Sequence, residues 1–372
     1  MLCMILVSCT GQKTGKENDN NDKIAIEVGE IKFPPQDVLQ LKSYYLSSSV
    51  HVDSIDYLIG YNYRLHSLDC MNLKSKSVTQ IVLPGDGPDA IVRLSGIYAQ
   101  SLDSIWISDE SERAFLIDSV GTIKRMIDLK KYLEDQEQLL INTNYAMFTS
   151  HLFYNASRHS LMFLVKHTPS NTFIVKEVFI DEVGKMATYQ LSSSKVVPDM
   201  SKGYAYINFP NVNFVGENIV YNYPVESSIY MLDIRTNERK YILADSHYTS
   251  NIIEKCTTSG DYATLEKHWL ENSHFYDIMY LPKYKIYARL HADKVDFDEK
   301  KGMEKLINER DLYLMLFDEN MEKIGETKLS NCRYSPFTSW NATYGGIALF
   351  VDNVLDEKNN TDDLTIDIIS LK

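Results

Sequence analysis

Apolar residues along this chain come in short runs of four or five, each led by a polar turn, and long amphipathic stretches with a 3.6-residue period are nearly absent. Short runs rich in β-branched and aromatic side chains predict strands rather than helices. One such unit recurs as Asp56-Tyr57-Leu58-Ile59-Gly60, Ser104-Ile105-Trp106-Ile107-Ser108 and Ser160-Leu161-Met162-Phe163-Leu164. It returns as Asn218-Ile219-Val220-Tyr221-Asn222, Lys285-Ile286-Tyr287-Ala288-Arg289 and Gly346-Ile347-Ala348-Leu349-Phe350. Successive copies lie about 50 to 70 residues apart, the length of a four-stranded propeller blade with its loops. A second repeat, an apolar strand ending in Asp before a turn, follows each of the first five copies at Asp69, Asp118, Asp181, Asp233 and Asp318. An Asp there accepts hydrogen bonds from turn amides and closes a hairpin. The five therefore predict one structural position per blade, at the outer hairpin, rather than an acidic centre.

The sixth unit supplies two or three strands, over residues 337–341, 346–352 and 364–371, and lacks a final one, while residues 24–32 alternate with period two and belong to no blade. Pairing that stray strand onto the sixth blade closes a ring and removes its free edges. The predicted fold is thus all-β: a single six-bladed β-propeller of four-stranded antiparallel blades over residues 24–372, with short helical insertions. Residues 129–137 have helical spacing and predict a short helix after the second blade. Residues 244–272 predict another, capped by Ser or Asp and carrying Leu265, Trp269 and Leu270 on one face. Both follow a fourth strand, so they project from the face where one blade hands over to the next, the expected side of a ligand entrance. A third insert, residues 293–310, splits the fifth blade and is expected to lie exposed elsewhere.

The first nine residues, Met1-Leu2-Cys3-Met4-Ile5-Leu6-Val7-Ser8-Cys9, are apolar and end in small side chains, which predicts a secretion signal. Leu6-Val7-Ser8-Cys9 resembles the bacterial lipobox, in which the cysteine carries the lipid; Cys9 is the predicted lipidation site. No Lys or Arg precedes the segment, which suggests a true start further upstream. Two or more acyl chains anchor a protein stably, and Thr10 after the cysteine resembles the pattern for sorting to the outer membrane. Residues 10–23 lack apolar side chains and predict a flexible tether. Cys70, Cys256 and Cys332 are widely spaced with no C-x-x-C, which fits neither a disulfide framework nor a zinc site. With 51 acidic against 38 basic residues the net charge is −13, and no basic face gathers. That excludes a general nucleic-acid binder. No apolar run approaches the length of a membrane-spanning helix.

Several segments together resemble the domain of unknown function 4221 family of Bacteroides-type lipoproteins. They are the lipobox-like start, Tyr57-Leu58-Ile59-Gly60-Tyr61-Asn62, Leu83-Pro84-Gly85-Asp86-Gly87-Pro88, Leu102-Asp103-Ser104-Ile105-Trp106-Ile107 and Glu266-Lys267-His268-Trp269-Leu270-Glu271-Asn272. The resemblance covers the chain beyond the tether. It implies a six-bladed propeller at the cell envelope and supplies no activity, cofactor or catalytic residue.

The search for chemistry returns few signals. There is no H-E-x-x-H, no Cys/His set with zinc spacing and no G-x-S-x-G elbow. Ser192-Ser193-Ser194-Lys195 sits in a polar turn without the helix that S-x-x-K chemistry requires, and Gly85-Asp86-Gly87-Pro88-Asp89 lacks the Lys-Ser/Thr of a phosphate loop. No catalytic residue, metal ligand or cofactor is assigned. Innermost strands are expected to begin near Arg93, Tyr145, Tyr206-Ile207-Asn208, His274-Phe275-Tyr276 and Arg333-Tyr334. The candidate ligand-binding set, Arg93, Tyr145, Tyr206, Asn208, His274, Tyr276, Arg333 and Tyr334, would then converge on the axis. Tyrosine rings suit sugars or protein surfaces, and a paired arginine suits an anionic group. The expected role is a binding module, anchored by lipid to the outer membrane, for a glycan, a peptide or a partner protein of the envelope. A calcium-dependent, lactonase-like propeller hydrolase would instead need several Asp, Glu or Asn side chains on the axis. A structural subunit of an envelope assembly would need a broad apolar patch around Trp269.

Overall fold

The computed structural model describes residues 25–35, 41–141, 148–197, 203–204, 207–256, 261–336, 338–358 and 362–372; the signal segment, Cys9 and the tether lie outside them. Strand β1 (Ile26–Phe33) opens the described chain. Blade one is β2 (Ser47–Val52), β3 (Ile55–Asn62), β4 (Ser67–Asn72) and β5 (Val78–Val82). Blade two is β6 (Leu94–Ser101), β7 (Ser104–Asp109), β8 (Arg113–Ile117) and β9 (Ile123–Asp128). In blade three the inner strand is split into β10 (Glu137–Leu139) and β11 (Phe153–Asn155), both pairing with β12 (Ser160–His167), followed by β13 (Thr172–Phe179) and β14 (Met186–Gln190). Blade four is β15 (Asn211–Val215), β16 (Asn218–Asn222), β17 (Ile229–Asp233) and β18 (Arg239–Ile242). Blade five is β19 (His274–Leu281), β20 (Ile286–Ala292), β21 (Leu312–Phe317) and β22 (Lys323–Lys328). Blade six is β23 (Trp340–Ala342), β24 (Ile347–Phe350) and β25 (Leu364–Leu371), with β1 as its outermost strand.

The recurring apolar unit is the second strand of every blade: β3, β7, β12, β16, β20 and β24. Such a strand has a neighbour on each edge and another blade against each face, so it reads as a continuous apolar run. All seven residues of β20 and all four of β24 are buried. Six apolar clusters fill the gaps between neighbouring blades, and Phe33, Tyr44, Leu58, Phe350 and Ile366 join blade six to blade one. The ring is closed by antiparallel pairing of β1 with β25 from Ile26↔Leu371 to Phe33↔Leu364.

Three of the five repeat aspartates close hairpins as expected. Asp118 accepts from the Val120 and Thr122 amides, Asp233 from Arg235 and Thr236, and Asp318 from Asn320 and Glu322. Asp181 sits exposed in the matching hairpin of blade three and pairs with Arg125 at 3.1 Å. Asp69 is not equivalent. It lies inside β4, buried, and accepts from Tyr44 Oη at 2.6 Å, Asn62 Nδ2 at 2.8 Å and Gln80 Nε2 at 3.0 Å. Blade one caps its outer turn with Asn72 instead, whose Oδ1 accepts the Lys74 and Ser75 amides. Gly60 makes the Tyr44–Asp69 contact feasible, because a Cβ there would lie 2.4 Å from the Tyr44 ring.

Two of the insertions differ from expectation. Residues 129–137 form only a single 3-10 turn, Leu129–Tyr132, with Asp128 accepting the Lys130 amide. The helix stops because Glu137 is drawn into β10, paired with His167, while its carboxylate meets the buried Lys176. Helix α1 (Tyr262–Leu270) forms with Asp261 at its N-cap position and with Trp269 and Leu270 buried. Helix α2 (Met303–Asn308) occupies the third insert, which is exposed in its acidic first half but buries Leu306, Ile307, Asn308 and Arg310. Leu306 and Ile307 join the same apolar cluster as Trp269 and Leu270, the Val295 amide bonds to Leu270 O at 2.9 Å, and Arg310 Nη2 reaches Asn272 O at 2.6 Å. The physical reason is topological. A loop between second and third strands leaves a blade on the same face as the hand-over between blades, so the two insertions meet and bury each other. Trp269 itself is buried, 6% exposed, while Ile252 and Tyr262 of the same insertion are exposed.

Candidate functional site

The inner strands finish around an axial cavity of about 380 Å³. Its wall takes contributions from every blade: Ser47 to His51 of β2 and its turn, Tyr98 of β6, His151 and Phe153, Asn213 and Phe214, Asp277 and Tyr280, and Trp340 and Asn341. The opening is therefore at the hairpin ends of the inner strands, opposite to the hand-over face that the sequence favoured.

Asp277 is the centre of this wall. The β19–β20 register shifts between Phe275 and Ile278, and such a bulge re-aims a side chain relative to the pleat. Asp277 is only 2% exposed. Its Oδ2 lies 3.1 Å from His151 Nε2, and its Oδ1 accepts the Trp340 indole N–H at 3.2 Å. A carboxylate can only accept, so the His151 proton facing it is on Nε2. Beside this pair the Phe153 ring stacks on Phe214 at 4.9 Å, and Tyr98 meets Phe153 edge-on at 5.1 Å. Amides and hydroxyls complete the surface: Asn341 Nδ2 donates to Ser47 Oγ at 2.6 Å, Asn213 Nδ2 to Ile278 O at 3.0 Å and Ser49 Oγ to Ala342 O at 2.5 Å.

The rim is held by a second imidazole–carboxylate pair. His51 Nδ1 lies 2.7 Å from Asp56 Oδ1, Asp56 also accepts the Tyr344 and Gly345 amides, and the Tyr344 ring stacks on His51 at 4.3 Å. Flat apolar faces flanked by fixed acceptors and donors suit a ligand that carries both C–H faces and hydroxyls. Among the described residues no group of three or more His, Cys, Asp or Glu side chains is placed to hold a metal ion. Axial Asp277 is engaged by His151 and Trp340, and Asn213 Oδ1 accepts the Phe214 amide.

The sequence-predicted residues scatter. Tyr145 and Tyr206 lie outside the described residues. Arg93 precedes β6 at the surface, 3.5 Å from Glu110 and with its guanidinium 5.6 Å from the Tyr45 ring. Asn208 precedes β15, with its Oδ1 buried and unpartnered. His274 and Tyr276 open β19 as expected and are brought together, their rings 4.6 Å apart, but they are wholly buried. Arg333 and Tyr334 do not reach the axis. The inner strand of blade six starts only at Trp340. Arg333 Nη2 instead bonds Asp367 Oδ1 of β25 and Glu30 Oε2 of β1, each at 2.9 Å, and Tyr334 Oη donates to Asp367 at 2.8 Å. The Asp367 hydrogen bond holds the guanidinium above its usual range. These two side chains fasten the closing seam.

Asp277, His151, Phe153 and Trp340 carry no motif in the sequence, since His151 and Asp277 are 126 positions apart. A local signal is Ser47-Ser48-Ser49, a run of three serines opening an inner strand. A second hollow of about 480 Å³ lies beside α1, lined by charges of both signs that include Glu254, Lys267, Glu271 and Asp296. Cys70 is buried, with its thiol pushed up to about 12 by desolvation; Cys256 and Cys332 are half-buried, and none of the three is in a disulfide.

The chain belongs to the family described as domain of unknown function DUF4221, whose model matches residues 17–328. It is similar to the crystal structure of a DUF4221 family member from Bacteroides vulgatus, at 15% identity and a TM-score of 0.76 over 95% of this chain and 99% of that one. It is also similar to a Bacteroides fragilis protein described as a proposed exported protein, at 14% identity and a TM-score of 0.54 over 96% and 98% of the two chains. At these identities the likeness shows the fold alone. No curated protein sequence matches the chain.

Proposed function

We propose that this protein is an extracytoplasmic lipoprotein, anchored through Cys9 to the outer membrane, that binds a glycan segment in the axial cavity. The lipobox-like start and the exported character proposed for the Bacteroides fragilis relative support the address. The observation that carries the binding reading is the wall itself, where the Asp277–His151 pair stands beside the Phe153–Phe214 stack and Tyr98. Sugars offer the matching surface: apolar ring faces for the aromatics and hydroxyls that donate to a carboxylate or accept from an amide. A volume of about 380 Å³ falls near the small end of ligand sites and suits one or two sugar rings better than a protein surface. Membrane contact is through the anchor only, and the acidic balance gives no purchase for nucleic acid.

A glycan panel screened against the full chain, followed by calorimetry, tests this. Saturable binding that falls at least about tenfold in Asp277→Asn and in Tyr98→Ala supports it. No binding across the panel, or binding indifferent to both substitutions, overturns it. The anchor is tested separately: Cys9→Ala releases the protein from membranes, and continued membrane association of that variant removes the anchor.

A further inference from the structure

At the opposite end of β19 a second polar cluster lies sealed beneath α1 and α2. His274 and Tyr276 are wholly buried, and Arg310, which follows α2, is 4% exposed. Their hydrogen bonds leave an imbalance of one kind. Trp269 Nε1 donates to His274 Nδ1 at 3.3 Å, and an indole N–H has no other role. Nδ1 is therefore the acceptor, and the proton of the neutral ring sits on Nε2. Burial, reinforced by Arg310, pushes His274 well below the usual imidazole range, which keeps that ring neutral. Its Nε2 has no partner.

Arg310 shows the same surplus. Its Nε donates to Asp293 O at 2.7 Å and its Nη2 to Asn272 O at 2.6 Å, both neutral carbonyls, while Nη1 has no partner. The Trp269 ring, 5.4 Å from the guanidinium carbon, eases the charge but accepts none of its N–H groups. The Tyr276 hydroxyl is buried without a partner as well. Trp269 meets both His274 and Arg310, and the His274 and Tyr276 rings lie 4.6 Å apart, so the three form one neighbourhood. A buried guanidinium whose hydrogen-bond partners are all carbonyls has no direct counter-ion, and the Asp293 carboxylate offsets its charge only through space. Water completes this cluster poorly, because neither Arg310 nor neutral His274 offers an acceptor on its open side and only the Tyr276 hydroxyl could take one of its two hydrogens. A group with acceptors only, and with negative charge, completes all three.

We propose that His274 Nε2, Tyr276 Oη and Arg310 Nη1 form an internal binding site for a small oxyanion, a carboxylate or an inorganic phosphate or sulfate, held beneath the two insertions. The site is distinct from the axial cavity and does not depend on the glycan reading. Charge-assisted hydrogen bonds from a guanidinium are strong and short where water is excluded. Because the cluster is closed, the anion is taken up as the chain folds or opens locally. It acts as a structural ligand for the insertion end.

The test refolds the full chain in chloride, acetate, phosphate or sulfate at matched ionic strength and follows thermal unfolding against anion concentration. A saturable rise of several degrees above chloride is expected by linkage. Response to acetate alone identifies a carboxylate as the occupant, and response to phosphate or sulfate identifies an inorganic anion. Tyr276→Phe keeps the ring against Trp340 and should weaken the response at least about fivefold, and Arg310→Gln should abolish it. If Arg310→Gln fails to fold, Tyr276→Phe and His274→Gln decide. A wild-type chain that melts alike in all four salts overturns the site, as does a response that Tyr276→Phe leaves unchanged.

Discussion

The two halves of β19 face opposite ends of one axis and meet opposite surroundings. At its start, His274 and Tyr276 are roofed by α1 and α2, with Leu306, Ile307, Trp269 and Leu270 forming one apolar cluster above them. At its finish, Asp277 and Tyr280 line a cavity open to solvent. Both halves belong to the same inner strand in the same ring, so the propeller itself does not choose which end receives a ligand. The insertions choose, by covering one end. That comparison yields a ranked set of expectations.

The largest effect should come from the covered end. Leu306 is wholly buried, and Leu306→Ala should cost about 3–4 kcal/mol of unfolding free energy in denaturant titration while leaving cavity binding intact. A loss below about 1 kcal/mol would make α2 a loose flap and end the comparison. Next is Glu326 in β22, which ties the segment after β18 to blade five through His291 Nε2 at 2.8 Å, Ser246 Oγ at 2.6 Å and the His247 amide at 2.9 Å. Burial alone would raise this carboxyl, but those hydrogen bonds, His291 first, hold it down at about 2. A carboxyl depressed by folding contributes stability above its unfolded value of about 4.5, and that contribution is lost as the pH falls through about 2. Glu326→Gln should therefore be less stable by about 3 kcal/mol at neutral pH. The two stability curves should converge toward pH 2; parallel curves would refute the assignment.

The open end should show the reverse balance. Half-buried Phe153→Ala should lower stability by about 2 kcal/mol or less but weaken glycan binding at least about tenfold, measured by calorimetry beside the melting curve. The smallest effect belongs to the rim. Tyr344 is 44% exposed, so Tyr344→Ala should move stability by no more than about 0.5 kcal/mol while binding weakens a few-fold through loss of the His51 stack. A larger stability change at the rim than at Leu306 would invert the picture.

How much of this was legible in the sequence follows from where each strand sits. Second strands such as β20 are pressed between neighbours on every side, so their composition announces them and their spacing counts the blades. The closing strand was legible because residues 24–32 alternate and no other blade lacks a member. Inner strands are harder, since one flank faces a cavity and their apolar pattern breaks. β23 is three residues long and the inner strand of blade three is split in two. His274 was placed at the start of its strand and Arg93 one residue before Leu94, whereas Arg333 and Tyr334 fell several residues short of Trp340. Asp69 looked like the other turn aspartates because an apolar strand ending in Asp is the same string whether or not the strand continues. Burial within the insert at 293–310 was hidden for another reason: Asp296 and Glu299 are exposed while Leu306 and Ile307 are buried, and only the presence of α1 beside them decides it.

Ring closure has a consequence for how the molecule comes into being. The strand that completes blade six at its outer edge is synthesised first, and its partner β25 last. Until Leu364–Leu371 has emerged, β1 has no partner in blade six and the ring cannot close. β1 is suited to that wait: Glu27, Glu30 and Lys32 along its length leave it too charged to adhere to a stray edge. Pairing of those last eight strand residues with β1 joins the two ends of the arc and leaves β1 as the outer edge strand of blade six.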